Sequence, residues 1–172
     1  MLTGKEIERQ IKKGNIVIEP FIKENINPNS YNVTLNNKLL VYDCDIIDMK
    51  IENPTKEIII PEEGLVLETN KLYLGRTNEY TETKTFIPSI DGRSSIGRLG
   101  LFIHVTAGFG DVGFKGTWTL EIQCVQPIRI YPNIKIGQLH YEVAQGKKTY
   151  YKGKYQGQID PKASRYDLDF KK

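Results

Sequence analysis

The chain has 172 residues, 39% of them hydrophobic and 26% charged, which supplies enough apolar side chain for one domain, taken here as residues 1–172, with a real core. Its 24 basic and 21 acidic residues leave a net charge of +3, too mild for the surface as a whole to recruit nucleic acid or a membrane, so any anion affinity must come from local placement. Cys44 and Cys124 lie too far apart to imply a disulfide framework, Met1-Leu2-Thr3-Gly4 leads into a helix rather than a signal peptide, and no apolar run approaches the roughly 20 residues of a membrane span; a cytoplasmic protein is expected.

Thr3 and Glu6 have the spacing of a capping box, with Leu2 and Ile7 placed as a hydrophobic staple. Ile7 and Ile11 give that helix one apolar stripe, and Gly14 ends it. From Ile16 the pattern changes to short β-branched or alternating runs: Ile16–Ile18, Tyr31–Leu35, Leu39–Tyr42, Glu57–Ile60 and Leu65–Glu68. Asn27-Pro28-Asn29, Asn36-Asn37, Pro54 and Pro61-Glu62-Glu63-Gly64 are the turns between them. Further strands are expected at Lys71–Arg76, Ile103–Thr106, Thr117–Val125, Ile128–Tyr131 and Gly137–Val143. Many short strands and few helices point to a mainly β barrel or distorted sandwich. The tail, residues 146–172, is polar, rich in Lys and Tyr and without periodicity, and is expected to be a flexible C-terminal lid that orders over a ligand.

Gly92-Arg93-Ser94-Ser95-Ile96-Gly97-Arg98 puts two cations and two hydroxyls into seven residues. Arginine matches phosphate because its planar fork gives two parallel charge-assisted bonds, and serines with free backbone N–H groups at a helix start complete an anion site. The same residues could form only a capped surface helix. Asp111 lies in the Gly-rich stretch Gly108-Phe109-Gly110-Asp111-Val112-Gly113, where the plain reading is a turn residue and the functional one an acceptor for a sugar hydroxyl. Alternation along Thr117–Gln123 puts Trp118, Leu120 and Ile122 on one face and Thr117, Thr119, Glu121 and Gln123 on the other. A glutamate on a polar strand face is usually just solvated. If that face closes against a second subunit, Glu121 is partly desolvated and becomes a working acid/base. His104 and His140 read as structural. Neither is followed by x-Glu and no cysteine pair exists, so the His-x-Glu with Pro-Cys-x-x-Cys zinc site of some deaminases is excluded. The Walker and G-x-G-x-x-G motifs are also missing, and the basic, aromatic run Lys147–Gln158 fits either a single-strand nucleic-acid platform or a nucleotide lid.

Taken in order, Gly92–Arg98, His104-Val105-Thr106-Ala107-Gly108, Asp111, Gly113-Phe114-Lys115-Gly116, Thr119-Leu120-Glu121, Ile136-Gly137-Gln138-Leu139 and Lys154-Tyr155-Gln156-Gly157-Gln158 resemble the dCTP deaminases of the dUTPase-like superfamily, from the Thr3 helix to about Arg165. The resemblance implies a dUTPase-like distorted β-barrel of the β-clip type and a homotrimer with active sites shared between subunits. It implies Mg2+ bound through the triphosphate, no zinc, and no dedicated metal ligand in the protein. Glu121 is then the catalytic residue, with Ser94 and Arg98 organising the water. Arg93, Ser94, Ser95, Ile96, Gly97 and Arg98 form the phosphate loop, and Asp111 holds the 3′-hydroxyl. Thr119, Leu120 and Glu121 read the cytosine edge. Gln138 sits at the base or sugar, and Tyr151, Lys154 and Gln158 belong to the closing tail. dCTP is the implied substrate, with dUTP and dTTP as further ligands and no nucleic acid or membrane as partner.

Ala107 and Gly108 resemble the dUMP-forming branch, which also cleaves the triphosphate. Gly108 is expected to leave room beside the α-phosphate for a second water. The alternatives are a deamination-only enzyme releasing dUTP and a catalytically silent nucleotide-sensing module. Two departures from the family pattern stand out: Gly110, where an apolar residue is usual, is expected to loosen its loop, and Asn133 replaces a Gly in a turn that needs the left-handed region, which Asn tolerates.

Overall fold

Local chemistry sets the first element as expected. A computed structural model describes residues 1–171. In it α1 spans Gly4–Lys12, with the Thr3 hydroxyl accepting from the Glu6 N–H at 3.3 Å. Such a cap contributes about 1 kcal/mol. Leu2 and Ile7 are both buried beneath the helix, as a staple requires. The Leu2 N–H donates to the Tyr141 carbonyl at 2.7 Å, which ties the N-terminus to the far end of the chain.

The regular structure beyond α1 is almost entirely strand, in four small sheets that wrap one core. β1 (Ile16–Glu19), β7 (Tyr80–Thr83) and β10 (Lys115–Gly116) form the first, in the order β1-β7-β10. β3 (Lys38–Tyr42), β4 (Thr55–Ile59), β6 (Tyr73–Arg76), β9 (Leu101–Phe102) and β11 (Thr119–Cys124) form the second, in the order β4-β3-β6-β11-β9. β5 (Leu65–Leu67) pairs with β12 (Ile128–Ile130). β13 (Lys135–Val143) runs between β2 (Tyr31–Thr34) and β8 (Phe86–Gly92). Every pairing is antiparallel. The inward residues of these strands, among them Ile16, Val33, Leu39, Leu120, Ile122, Ile136 and Leu139, are close to fully buried.

Three local expectations need correction. Ile103–Thr106 is not a strand: pairing stops at Phe102, and the chain bends away after the Ile103 carbonyl accepts from Glu121 N–H at 2.7 Å. β8 is a seven-residue strand that the pattern hid, because Pro88 and Gly92 interrupt its apolar run. It lies at a sheet edge, where Pro is tolerated. Third, α2 (Ser94–Gly97) is a single turn whose cap position is Arg93, without a side-chain cap bond, so neither serine caps it. The Asn133 turn stands as expected: its φ is +62°, and its side-chain oxygen accepts from Asn78 at 2.9 Å.

The tail is tied to the barrel at several points. Gln158 bridges Gly116 in a parallel register. Thr117 N–H donates to the Gln158 carbonyl at 2.9 Å, and the Gln158 amide donates to the Thr117 carbonyl at 2.8 Å and to Thr119 Oγ1 at 3.2 Å. Tyr151 N–H reaches the Val112 carbonyl at 2.8 Å. Lys38 and Arg76 both approach the Asp160 carboxylate, at 3.4 and 3.9 Å.

Candidate active site

β11 carries the polar strand face that the sequence pattern singles out. Leu120 and Ile122 point into the core at 1% and 0% exposure, so Thr119 and Glu121 face the other way and are half-buried. They open onto a cavity of about 380 Å³. Leu74 and the aromatic rings of Phe109, Phe114, Trp118 and Tyr151 form much of its wall. Ala107, Gly110 and Asp111 line it from the 107–111 loop, and Tyr155, Gln158, Lys162 and Ser164 close it from the tail. An apolar cleft with few convergent polar groups is the usual shape of a small-molecule site.

The aromatic wall is held rigidly. Phe114 packs on Trp118 with ring centroids 5.3 Å apart and on Tyr151 at 6.0 Å. The Trp118 indole N–H donates to Thr81 Oγ1 at 3.0 Å inside the barrel, as a buried indole must find a partner. Gly110 does not loosen its loop. A Cβ there would meet the Trp118 ring at 2.5 Å, so the missing side chain lets the loop close on the indole. Gln158 spends its amide N–H groups on β11, and its buried Oε1 has no protein partner. That leaves one unused acceptor, itself out of solvent contact, beside the cavity.

Of the site residues expected from sequence, Ala107, Asp111, Thr119, Glu121, Tyr151 and Gln158 meet around this cavity. Leu120 can contribute only backbone, since its side chain is core. The others lie elsewhere. Arg93 donates to the Lys135 carbonyl at 3.3 Å. Ser94, Ser95, Gly97 and Arg98 are exposed, Ile96 is half-buried, and none of them lines the cavity. Gln138 is held on β13 by Ser30, whose hydroxyl donates to its Oε1 at 2.8 Å, and donates to the Gly92 carbonyl at 3.4 Å. Lys154 turns away to the Arg165 carbonyl at 3.0 Å and Asp169 at 2.9 Å. One chain thus builds a pocket for a flat ring and keeps its cationic loop on a separate, open surface.

Gly108 has no open space on the side from which a side chain would project. A Cβ there would meet the Ile90 carbonyl oxygen at 2.5 Å and the His104 ring at 2.6 Å. The room expected for a second water is filled by His104, a residue read from sequence only as structural.

Sequence reasoning also missed Phe109, Phe114, Trp118, Tyr155 and Lys162 as pocket residues. Phe109-Gly110 and Lys154-Tyr155 sit inside the motifs already noted, and that proximity was the available signal. Among the described residues no group of three or more His, Cys, Asp or Glu could hold a metal ion, and no helix is long and apolar enough to cross a membrane.

Comparison with known proteins gives a consistent result. The sequence profile of the dCTP deaminase-like family matches residues 1–144. The chain is 59% identical over 173 residues to "dCTP deaminase, dUMP-forming" of Clostridium beijerinckii, covering 100% of this chain and 99% of that one. It is 57% identical over 173 residues to the protein of the same description in Cytophaga hutchinsonii, with the same coverage. A solved structure of 2′-deoxycytidine 5′-triphosphate deaminase from Agrobacterium tumefaciens superposes with a TM-score of 0.64 at 19% identity. That match covers 83% of this chain and 48% of the other, so this chain spans about half its length.

Proposed function

This chain belongs to the dCTP deaminase-like family, and from that membership we infer that it deaminates dCTP and releases dUMP. The observation that carries the inference is identity of 52–60% with dUMP-forming relatives over essentially the whole chain. It is supported by a carboxylate, Glu121, on the polar strand face of a cavity sized and lined for a pyrimidine.

Glu121 takes a proton from a water as its oxygen bonds to C4 of cytosine. The protonated Glu121 returns that proton to the ring nitrogen, and the carboxylate, ionised again, takes the proton of the new C4 hydroxyl and passes it to the departing amine. The C4–N bond breaks, and ammonia and a uracil ring result. The free acceptor on Gln158 and the backbone of Thr119–Glu121 suit the amine and the ring edge. Asp111, exposed at the cavity mouth, suits the 3′-hydroxyl. Triphosphate cleavage needs a second water on the α-phosphorus, with diphosphate leaving. Magnesium would enter on the phosphate oxygens, a ligand set that suits its preference for oxygen and retained water, and would neutralise their charge. Such an ion needs no side-chain cage. The two cysteines are unpaired, which suits a reducing cytoplasm.

The working unit is a homotrimer whose sites take Glu121 from one subunit and Ser94, Ser95 and Arg98 from its neighbour. Two features support this: the cationic loop lies off the cavity within one chain, and large apolar side chains near it, Leu99 at 54%, Phe102 at 43% and Val125 at 68%, are exposed. Exposed apolar groups grouped in this way mark interfaces. The test is direct. Incubation with dCTP and magnesium should yield dUMP, diphosphate and ammonia in equal amounts. Release of dUTP alone would restrict the reaction to deamination, and no turnover at all would leave the nucleotide-sensing alternative.

A further inference from the structure

Two histidines far apart in sequence meet on one carboxylate. Asp91 is the last residue before the cationic run Gly92–Arg98. His140 Nε2 lies 3.0 Å from Asp91 Oδ2 across the β8–β13 pairing, and His104 Nε2 lies 3.6 Å from Asp91 Oδ1. His104 Nε2 also stands 2.8 Å from the Ile90 carbonyl. Every partner of these two nitrogens is an acceptor, so each ring carries its hydrogen on Nε2. Both Nδ1 atoms are buried without a partner. Ile90 and Asp91 therefore provide every hydrogen bond or ion pair that orients these two rings.

The His104 ring in turn seats the 104–108 loop. Gly108 packs against the ring and the Ile90 carbonyl, and the Gly108 carbonyl accepts from Ile90 N–H at 2.8 Å. Ile90 thus clips both ends of the loop, and Ala107 between them faces the cavity. Asp91 stands next to that clip and next to the phosphate loop. The two rings are largely buried, at 18% and 17% side-chain exposure, while Asp91 is 56% exposed. An exposed carboxylate on a strand edge has no packing to fix it, so the histidines hold it as much as it holds them.

We propose that Asp91, His104 and His140 form a positioning cluster that fixes the 104–108 loop against the Gly92–Arg98 loop, and so sets how often deamination is followed by triphosphate cleavage. The proposal rests on the dUMP-forming reading above. A displacement of about 1 Å in a loop that lines a reaction site costs on the order of a hundredfold in rate. The ring step at Glu121 lies on another element and is less exposed to it.

The test compares wild type, His140→Phe, His140→Gln and Asp91→Asn with dCTP and magnesium, separating dUTP from dUMP and recording thermal melts. His140→Phe keeps a flat ring but loses the donor, and Asp91→Asn puts an N–H against a donor. Both should raise the dUTP-to-dUMP ratio about tenfold or more, with KM for dCTP little changed. His140→Gln can still donate to Asp91 and should restore the wild-type ratio. An unchanged ratio in His140→Phe overturns the proposal, as does a fall in all variants that merely tracks lost folded protein. If His140→Phe does not fold, Asp91→Asn decides by the same ratio. If wild type itself releases only dUTP, the dUMP-forming reading falls instead. The cluster is then judged on amide exchange across residues 104–108, where quickening in His140→Phe that His140→Gln reverses upholds it and no change overturns it.

Discussion

The cavity around Glu121 and the Gly92–Arg98 loop, which we propose serve the same nucleotide, are built by opposite means. The cavity is assembled from β11, the 107–111 loop and the tail, with its aromatic wall cross-packed and its strand edge capped by Gln158. The loop is one helical turn, mostly exposed, with no carboxylate and no wall of its own. A base needs shape and a fixed proton acceptor, so it calls for a packed pocket. Phosphates need charge and donors, which an open loop supplies once another surface completes the enclosure. The contrast explains why one chain can hold a finished half of a site beside an unfinished one.

Four changes would break or sharpen this contrast. The largest effect is expected at the pocket. Glu121→Gln keeps the side chain's shape but cannot accept the water's proton. It should lower kcat by about a thousandfold while dCTP affinity stays within a few-fold, measured by steady-state kinetics and calorimetry. Next comes the loop: Arg98→Ala should weaken dCTP binding by roughly 30-fold, the loss of one charge-assisted bond. Its unfolding curve should match wild type, because Arg98 is exposed and makes no ion pair among the described residues. A loop with a structural role would give the reverse pattern.

The tail ranks third. Gln158→Ala removes the amide bonds to Thr117 and Thr119, at a cost of about 1–2 kcal/mol of local stability. Amide exchange at Thr117 and Tyr151 should quicken and KM for dCTP should rise, while the core strands keep their protection.

The smallest effect lies outside both regions. Glu79 is 1% exposed and accepts from Thr34 N–H and Oγ1, both at 2.9 Å. Burial pushes its carboxyl above the ordinary value of 4.5, against the pull of those bonds. A carboxyl raised in the folded state stabilises below 4.5 and loses that contribution as pH rises through its raised value. Glu79→Gln should flatten that slope in thermal melts and leave the dCTP kinetics at neutral pH unchanged.

What could be read from the sequence follows from how local each determinant is. The Thr3 cap, the Gly14 stop and the alternation that turns Glu121 outward depend on neighbours a few residues away, and all three hold. The Asn133 turn holds for the same reason. Ile103–Thr106 reads as a strand because its composition is β-branched, but the bond between His104 and Ile90 bends it, and nothing local announces that contact. β8 is hidden by Pro88, which only the sheet edge excuses. Gly108 and Gly110 read as open or loose because a missing side chain says nothing about what fills its place. His104, four residues before Gly108, and Trp118, eight residues after Gly110, fold back to occupy those places. Lys154 looks free in the sequence and is engaged by Arg165 and Asp169 eleven to fifteen residues on.

The proposed division of the site between two subunits is tested most directly by mixing two impaired enzymes, assayed with dCTP at or below the wild-type KM. Glu121→Gln supplies an intact Arg98 loop, and Arg98→Ala supplies an intact pocket. After the two are unfolded together and refolded as mixed trimers, about a quarter of the sites should pair a wild-type pocket with a wild-type loop. Deamination should return to about that fraction of the wild-type rate, with the wild-type KM. A mixture no more active than the sum of its two components would contradict a shared site and put pocket and loop in the service of the same chain.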